Sequence, residues 1–190
     1  MIVLNLYTYI DTVILGLMTT DAETGRYAAS YRVYEGITYA PAILSAVLTP
    51  RLSFLFTSDR AAHRGLLRRS LASSAALGIA LGALTALLAR PLMLLIFGDQ
   101  YVESVAPLRV LAGGSVFVFT TWILHAAAIS TNLDRRLLLT TVVGLSANVI
   151  LNVLFIPRWG ISGAAWATVV AEALTVALLF LQLRKRMREP

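Results

Sequence analysis

Asn148 to Glu172 reads NVILNVLFIPRWGISGAAWATVVAE. It is the end of one apolar helix, a Pro/Gly turn of a few residues, and the start of a second helix. So short a turn makes the two helices antiparallel neighbours. Small residues open the second helix (Gly163, Ala164, Ala165, Ala167). Small side chains let backbones approach closely where lipid supplies no hydrophobic drive. Two amides, Asn148 and Asn152, sit one turn apart on the first helix and share a face. Buried amides need partners, so these point to interhelical hydrogen bonds first and to a cavity lining second. Glu172 falls about 18 Å past Gly160, near the middle of a hydrocarbon core about 30 Å thick.

The composition agrees with a membrane setting. The chain is 58% hydrophobic and 14% charged, against about 25% charged in soluble domains. Its mean hydropathy is +0.77. The N-terminal MIVLNLYTYIDTVILGLM lacks a basic start and a cleavage site, so it reads as a span and not as a signal peptide. There is no cysteine, which excludes disulfide and thiol chemistry and cysteine-held zinc. The net charge of +6 is carried by arginine with a single lysine, Lys185. Those arginines flank apolar stretches, so membrane topology explains them better than nucleic acid does.

Stretches of about 20 apolar residues mark spans. Six meet or approach that length: roughly 1–18, 28–56, 71–97, 106–130, 137–156 and 161–183. Basic segments follow the second (Arg60, Arg64, Arg68, Arg69), the fourth (Arg135, Arg136) and the sixth (RKRMREP). The other connections, TTDAETGR, FGDQYVES and PRWG, are poor in basic residues. The positive-inside rule therefore places both termini in the cytoplasm, as an even number of spans requires. The fold expected is all-α, an integral membrane six-helix bundle. Pro41 should kink the second span and Pro50 should end its regular part. Gly78 and Gly82, in G-x-x-x-G spacing, mark a packing face on the third.

Charges inside spans are costly and seek partners or a water-filled cavity. Asp11 lies about 10 Å below the outer end of the first span. Counted from a second-span start near Tyr27, Arg32 lies at a similar depth, with Glu35 three residues on. Asp11 and Arg32 are therefore expected to approach each other or to share Glu35. A structural ion pair and a substrate or proton role weigh equally there. Glu172 is poised between a coupling carboxylate and a neutral, hydrogen-bonded one. His125, near the inner end of the fourth span, reads as a hydrogen-bonded neighbour of the interface. No nucleotide, zinc-protease or hydrolase motif is present, and no loop has room for a soluble catalytic domain. No catalytic residue, metal site or cofactor is expected, and the chain is not expected to be an enzyme.

Four segments, in order, carry a resemblance. These are DTVILGLMTTDAETGRYAASYRVYEG, APAILSAVLTPRLS, LLIFGDQYVESVAPLRVL and NVILNVLFIPRWGISGAAWAT. Together they resemble the polysaccharide (O-antigen-type) flippases, in the superfamily that also holds multidrug-and-toxin extruders. Members resemble two six-helix lobes around a central cavity, and residues 1–190 match the C-terminal lobe. That implies a fragment lacking its N-terminal lobe, or a half-size protein that pairs with a second copy.

The resemblance implies translocation of an undecaprenyl-diphosphate-linked oligosaccharide across the bacterial cytoplasmic (inner) membrane by alternating access. It suggests Arg32, Asn148 and Asn152 as substrate-binding candidates and Asp11, Glu35 and Glu172 as ion- or proton-coupling candidates. The partners implied are the lipid-linked substrate, membrane lipid and the other lobe, with no nucleic acid. The alternatives are a drug/cation antiporter of the same superfamily and a non-transporting scaffold of cell-envelope assembly.

Overall fold

A computed structural model describes the backbone of residues 2–187 and the side chains of residues 9–187. Within that range the chain is an all-α multi-pass membrane protein. Its elements are α1 (Ile2–Met18), α2 (Asp21–Ser58), α3 (Arg60–Phe97), a 3₁₀ segment (Asp99–Ser104), α4 (Val105–Gly113), α5 (Ser115–Ser130) and α6 (Asp134–Arg186). These helices fall on all six predicted ranges. Met1 and the tail end, Arg188 to Pro190, lie outside the described residues.

The helix starts are set by side-chain caps. Thr20 accepts from the Glu23 amide while Glu23 reaches back to the Thr20 amide, a reciprocal capping box that starts α2 at Asp21. Asp59 accepts from the amides of Ala61 and Ala62, both at 2.9 Å, and starts α3. Gly98, at φ 88°, ends α3 with a backbone conformation that a side chain resists.

Pro50 acts less strongly than its chemistry alone suggests. α2 runs through Pro41 and Pro50 to Ser58, so Pro50 does not end it. Hydroxyls take up carbonyls around the break: Thr49 donates to Ser45 O at 2.8 Å and Ser53 to Thr49 O at 3.0 Å. Such side-chain bonds are how membrane helices tolerate proline. α3 likewise continues through Pro91 to Phe97.

A bend that the sequence reading did not anticipate lies in the fourth predicted span. It bends by 43° between α4 and α5, at Gly113–Gly114. A Cβ on Gly114 would fall 2.4 Å from Val169 Cγ2, so the missing side chain is what lets α6 press into the bend. The G-x-x-x-G face also packs as expected. Gly78 lies against Phe119 and Val116, and Gly82 lies against the Ala112 carbonyl.

α6 folds back on itself. Gly160 holds φ 54° and ψ −137° in the middle of an otherwise helical run. Across it, Gly163 abuts the Phe155 carbonyl, Gly144 abuts Thr175, and Gln182 donates to Thr140 at 2.8 Å. Each pair straddles Gly160 almost symmetrically, as in an antiparallel hairpin. Gly163, Ala164, Ala165 and Ala167 are all buried, which is the close approach their size permits.

The bundle has two ends that differ in charge. At one, the α1–α2 turn meets the α6 turn, since a Cβ on Gly160 would lie 4.0 Å from Glu23 Oε1. At the other, His63 Nε2 lies 3.4 Å from Ser130 Oγ, and the guanidinium groups of Arg60 and Arg186 sit 5.0 and 5.9 Å from the Phe56 ring centre. All three basic segments therefore gather at this second end.

His63 is buried there, and burial, with Arg64 and Arg60 adding repulsion, holds its imidazole below the ordinary value. A base whose folded pKa is depressed stabilises the fold in its neutral form. That stability is complete above the unfolded value near 6.5 and falls as pH drops from there toward the folded value. Thermal unfolding in detergent should show a loss of midpoint below pH 6.5, and His63→Gln should flatten that slope. An unchanged slope in the variant would assign the pH dependence elsewhere.

Candidate functional site

Two hairpins, α1–α2 and the arms of α6, place their turns at the same end. Residues a similar distance from those turns then meet at one level. Asp11 is 7 residues from Met18, Tyr27 is 6 from Asp21, and Asn152 and Thr168 are each 8 from Gly160. At about 1.5 Å per residue, all lie roughly 9–12 Å in from that end.

They form one buried polar cluster. Asp11 Oδ1 accepts from Asn152 Nδ2 at 2.7 Å. Asp11 Oδ2 accepts from Tyr27 Oη at 3.0 Å and from Thr168 Oγ1. Asn152 Nδ2 also faces Asn148 O at 3.0 Å and Asn148 Oδ1 at 3.1 Å. Asp11 is 4% exposed, while Tyr27 and Asn152 are fully enclosed. Apolar residues wall the cluster in, among them Leu15, Ile156 and Ala164.

The cluster has more acceptors than donors. Asn152 Nδ2 carries two hydrogens and faces three acceptors. Asn152 Oδ1 is buried with no hydrogen-bond partner among the described residues. No arginine or lysine pairs with Asp11 among the described residues. A buried carboxylate with only neutral neighbours is costly as a bare anion, so the pocket favours a proton or a small hard cation. Carboxylate, amide and hydroxyl oxygens are the donor set such cations take.

The structure separates what sequence reasoning had joined. Arg32 does not pair with Asp11; its Nη1 donates to Glu35 Oε2 at 3.1 Å. The physical reason is the helix start. The capping box begins α2 six residues before Tyr27, which places Arg32 about 16 Å from the turn, past the level of Asp11. Tyr27 occupies that level instead. Glu35 also accepts from Tyr9 Oη at 3.2 Å. The Arg32 side chain is 71% exposed and that of Glu35 is 16% exposed, so the pair sits on the bundle's surface.

Glu172 lies one turn beyond Thr168 on α6 and accepts from Thr121 Oγ1, on α5, at 3.0 Å. His125 packs edge-on to Trp122, with ring centres 6.1 Å apart. Trp159 and Trp166 line an apolar groove with Phe155, Ser162 and Val170. Tyr27 and Thr168 were not singled out from sequence. The signal for Tyr27 was the T-x-x-E cap at Thr20–Glu23, which fixes its depth; Thr168 stood in plain view in the small-residue run.

A bundle of helical hairpins encloses the Asp11 carboxylate, and the Arg32 side chain is exposed on the same α1–α2 hairpin. The chain belongs to the polysaccharide biosynthesis protein family, whose model matches residues 1–106. It is 28% identical over 173 residues to the probable flippase AglR of Haloferax volcanii, covering 88% of this chain and 36% of the relative. It is 25% identical over 174 residues to the probable low-salt glycan biosynthesis flippase Agl15 of the same archaeon, covering 90% and 37%. The chain thus spans about a third of the length of these relatives.

Two solved structures share the fold. One is a MOP superfamily transporter from Pyrococcus furiosus (TM-score 0.84, 20% identity, 97% of this chain and 42% of that one). The other is an outward-facing multidrug resistance MATE family transporter (TM-score 0.83, 20% identity, 95% and 41%).

Proposed function

We propose that this chain is one lobe, the C-terminal one, of a flippase for a polyprenyl-diphosphate-linked oligosaccharide. Undecaprenyl diphosphate in the cytoplasmic membrane of a bacterium is the carrier we favour. The end bearing the three basic segments faces the cytoplasm. The other lobe, or a second copy, completes the cavity. Membership of the family supports the glycan-lipid class of substrate. The observation that carries the mechanism is the Asp11 cluster, a buried carboxylate with surplus oxygen acceptors and no basic partner among the described residues.

Uptake of a proton or Na⁺ by Asp11 would neutralise the pocket and release the pull on Tyr27, Asn152 and Thr168. That alters how α1 sits against α2 and α6, the kind of discrete repacking alternating access needs. Arg32, whose planar fork matches phosphate oxygens, would meet the diphosphate. Asn148 and Asn152 then serve the ion pocket and not the substrate. Glu35 would hold Arg32 until the diphosphate arrives. Glu172, tied to Thr121, remains a second station for a proton.

The test is flipping of a fluorescent polyprenyl-diphosphate oligosaccharide in liposomes containing the intact protein. An imposed Na⁺ or proton gradient should accelerate it. Arg32→Gln should cut the rate about tenfold or more, the cost of one charge-assisted contact. Flipping that is indifferent to both gradients and to Arg32 would overturn the reading.

A further inference from the structure

We infer that a tyrosine cluster on the α1–α2 hairpin links occupancy of the Asp11 pocket to the state of the Arg32–Glu35 pair. The inference rests on the ion and diphosphate roles given above and says how the two sites communicate. Tyr27, fully buried, donates to Asp11. Its ring stacks on Tyr31, with centres 6.1 Å apart and planes 30° apart. Tyr31 in turn meets the edge of Tyr9 at 6.3 Å. Tyr9 donates to Glu35 Oε1, and Arg32 binds the other oxygen of the same carboxylate. The connection spans two turns of α2, roughly 12 Å from Tyr27 to Glu35.

α1 carries both ends of the lever. Asp11 and Tyr9 are two residues apart on it, while Tyr27, Tyr31, Arg32 and Glu35 all belong to α2. When a cation or proton enters the pocket, the Asp11–Tyr27 bond weakens and α1 is free to shift against α2. The rings cannot follow independently, because stacked and edge-to-face aromatics keep preferred separations. The shift therefore withdraws the Tyr9 hydroxyl from Glu35. Glu35 loses one of its two donors among the described residues and Arg32 becomes the partner left there, which raises the cost of lending Arg32 to a diphosphate. Reciprocity requires that diphosphate on Arg32 then disfavours the ion at Asp11 by the same factor. That is the sign an exchanger needs.

The experiment is calorimetric titration of the intact, detergent-solubilised protein with farnesyl diphosphate, a short polyprenyl diphosphate. It is done in Na⁺ and in choline at fixed pH, and at two pH values. Direct ²²Na⁺ binding is measured alongside. Wild type is expected to bind farnesyl diphosphate more weakly, by about fivefold or more, when the pocket is filled. Tyr9→Phe keeps the ring and removes the hydroxyl, and should bring that factor below about twofold. Tyr31→Leu should do the same, and Tyr31→Phe should restore it, since the ring carries the contact.

Na⁺ alone should bind these variants about as it binds wild type, and Tyr9→Phe should bind farnesyl diphosphate in choline about as weakly as ion-filled wild type does, because its Glu35 already lacks the Tyr9 hydroxyl. If the variants retain the full factor, or if wild type binds both ligands with no linkage, the inference is wrong. If Na⁺ and protons both leave the protein unaffected, the ion pocket itself fails. If farnesyl diphosphate does not bind, the role of Arg32 fails.

Discussion

If the proposed ion coupling holds, Asp11→Asn should remove ion-driven transport by the intact protein and leave its fold in place. The substitution is nearly isosteric. Its carbonyl oxygen still accepts from Asn152, and Thr168 can turn its hydroxyl to accept from the new amide, so the cluster's hydrogen bonds are mostly kept. The fold should lose no more than about 1 kcal/mol. The charge is gone, however, and every remaining oxygen in the cluster is neutral. Cation affinity should fall on the order of 100-fold, at least as much as losing an outer partner of a metal site. Protonation at this position becomes impossible. ²²Na⁺ binding and gradient-driven flipping are the measurements. A variant that still couples to either ion would move the coupling site to another carboxylate, with Glu172 first in line.

Gly82→Ala and Gly114→Ala should both destabilise the lobe, and they should respond differently to relief. A Cβ at Gly114 would fall 2.4 Å from Val169 Cγ2, a side chain that can be trimmed. A Cβ at Gly82 would fall 2.3 Å from the backbone oxygen of Ala112, which cannot. Each overpacking should cost about 1–3 kcal/mol, with Gly82 at the upper end. Pairing Gly114→Ala with Val169→Ala should recover most of the loss. Residues in contact couple in this way, and a double-mutant cycle reads the coupling directly. No side-chain trimming should rescue Gly82→Ala. Thermal unfolding in detergent decides both. Additive effects at Gly114 and Val169 would mean that α6 does not press into the α4–α5 bend.

The fold was legible where a signal is local. Apolar runs marked the six ranges, and the Pro/Gly turn at 157–160 announced the α6 hairpin. The run from Gly163 to Ala167 announced its close packing. Arginine placement put the basic segments at one end, and contacts around Phe56, His63 and Ser130 bring that end together. Less legible was where helices break. Pro41, Pro50 and Pro91 lie within continuous helices, while Gly113–Gly114 bends one. A proline's missing bond is a fixed cost that neighbours can absorb. A glycine bends only when something presses into it, and Val169 comes from another helix.

Asp11, Asn148 and Asn152 were each visible as polar groups in apolar runs, but not that they meet. The pairing of Asp11 with Arg32 failed on two counts. The depth was reckoned from Tyr27 and not from the capped start at Asp21. The direction also counted, for Arg32 lies five residues past Tyr27, about 140° around α2. What the sequence by itself determined is the membrane class, the helical ranges and the charge of each end. All of these follow from composition and from the chain's own helical periodicity. Only the tertiary structure decided which polar groups share a pocket. That depends on the rotation of each helix about its axis, and packing against neighbours sets this rotation for the whole bundle at once.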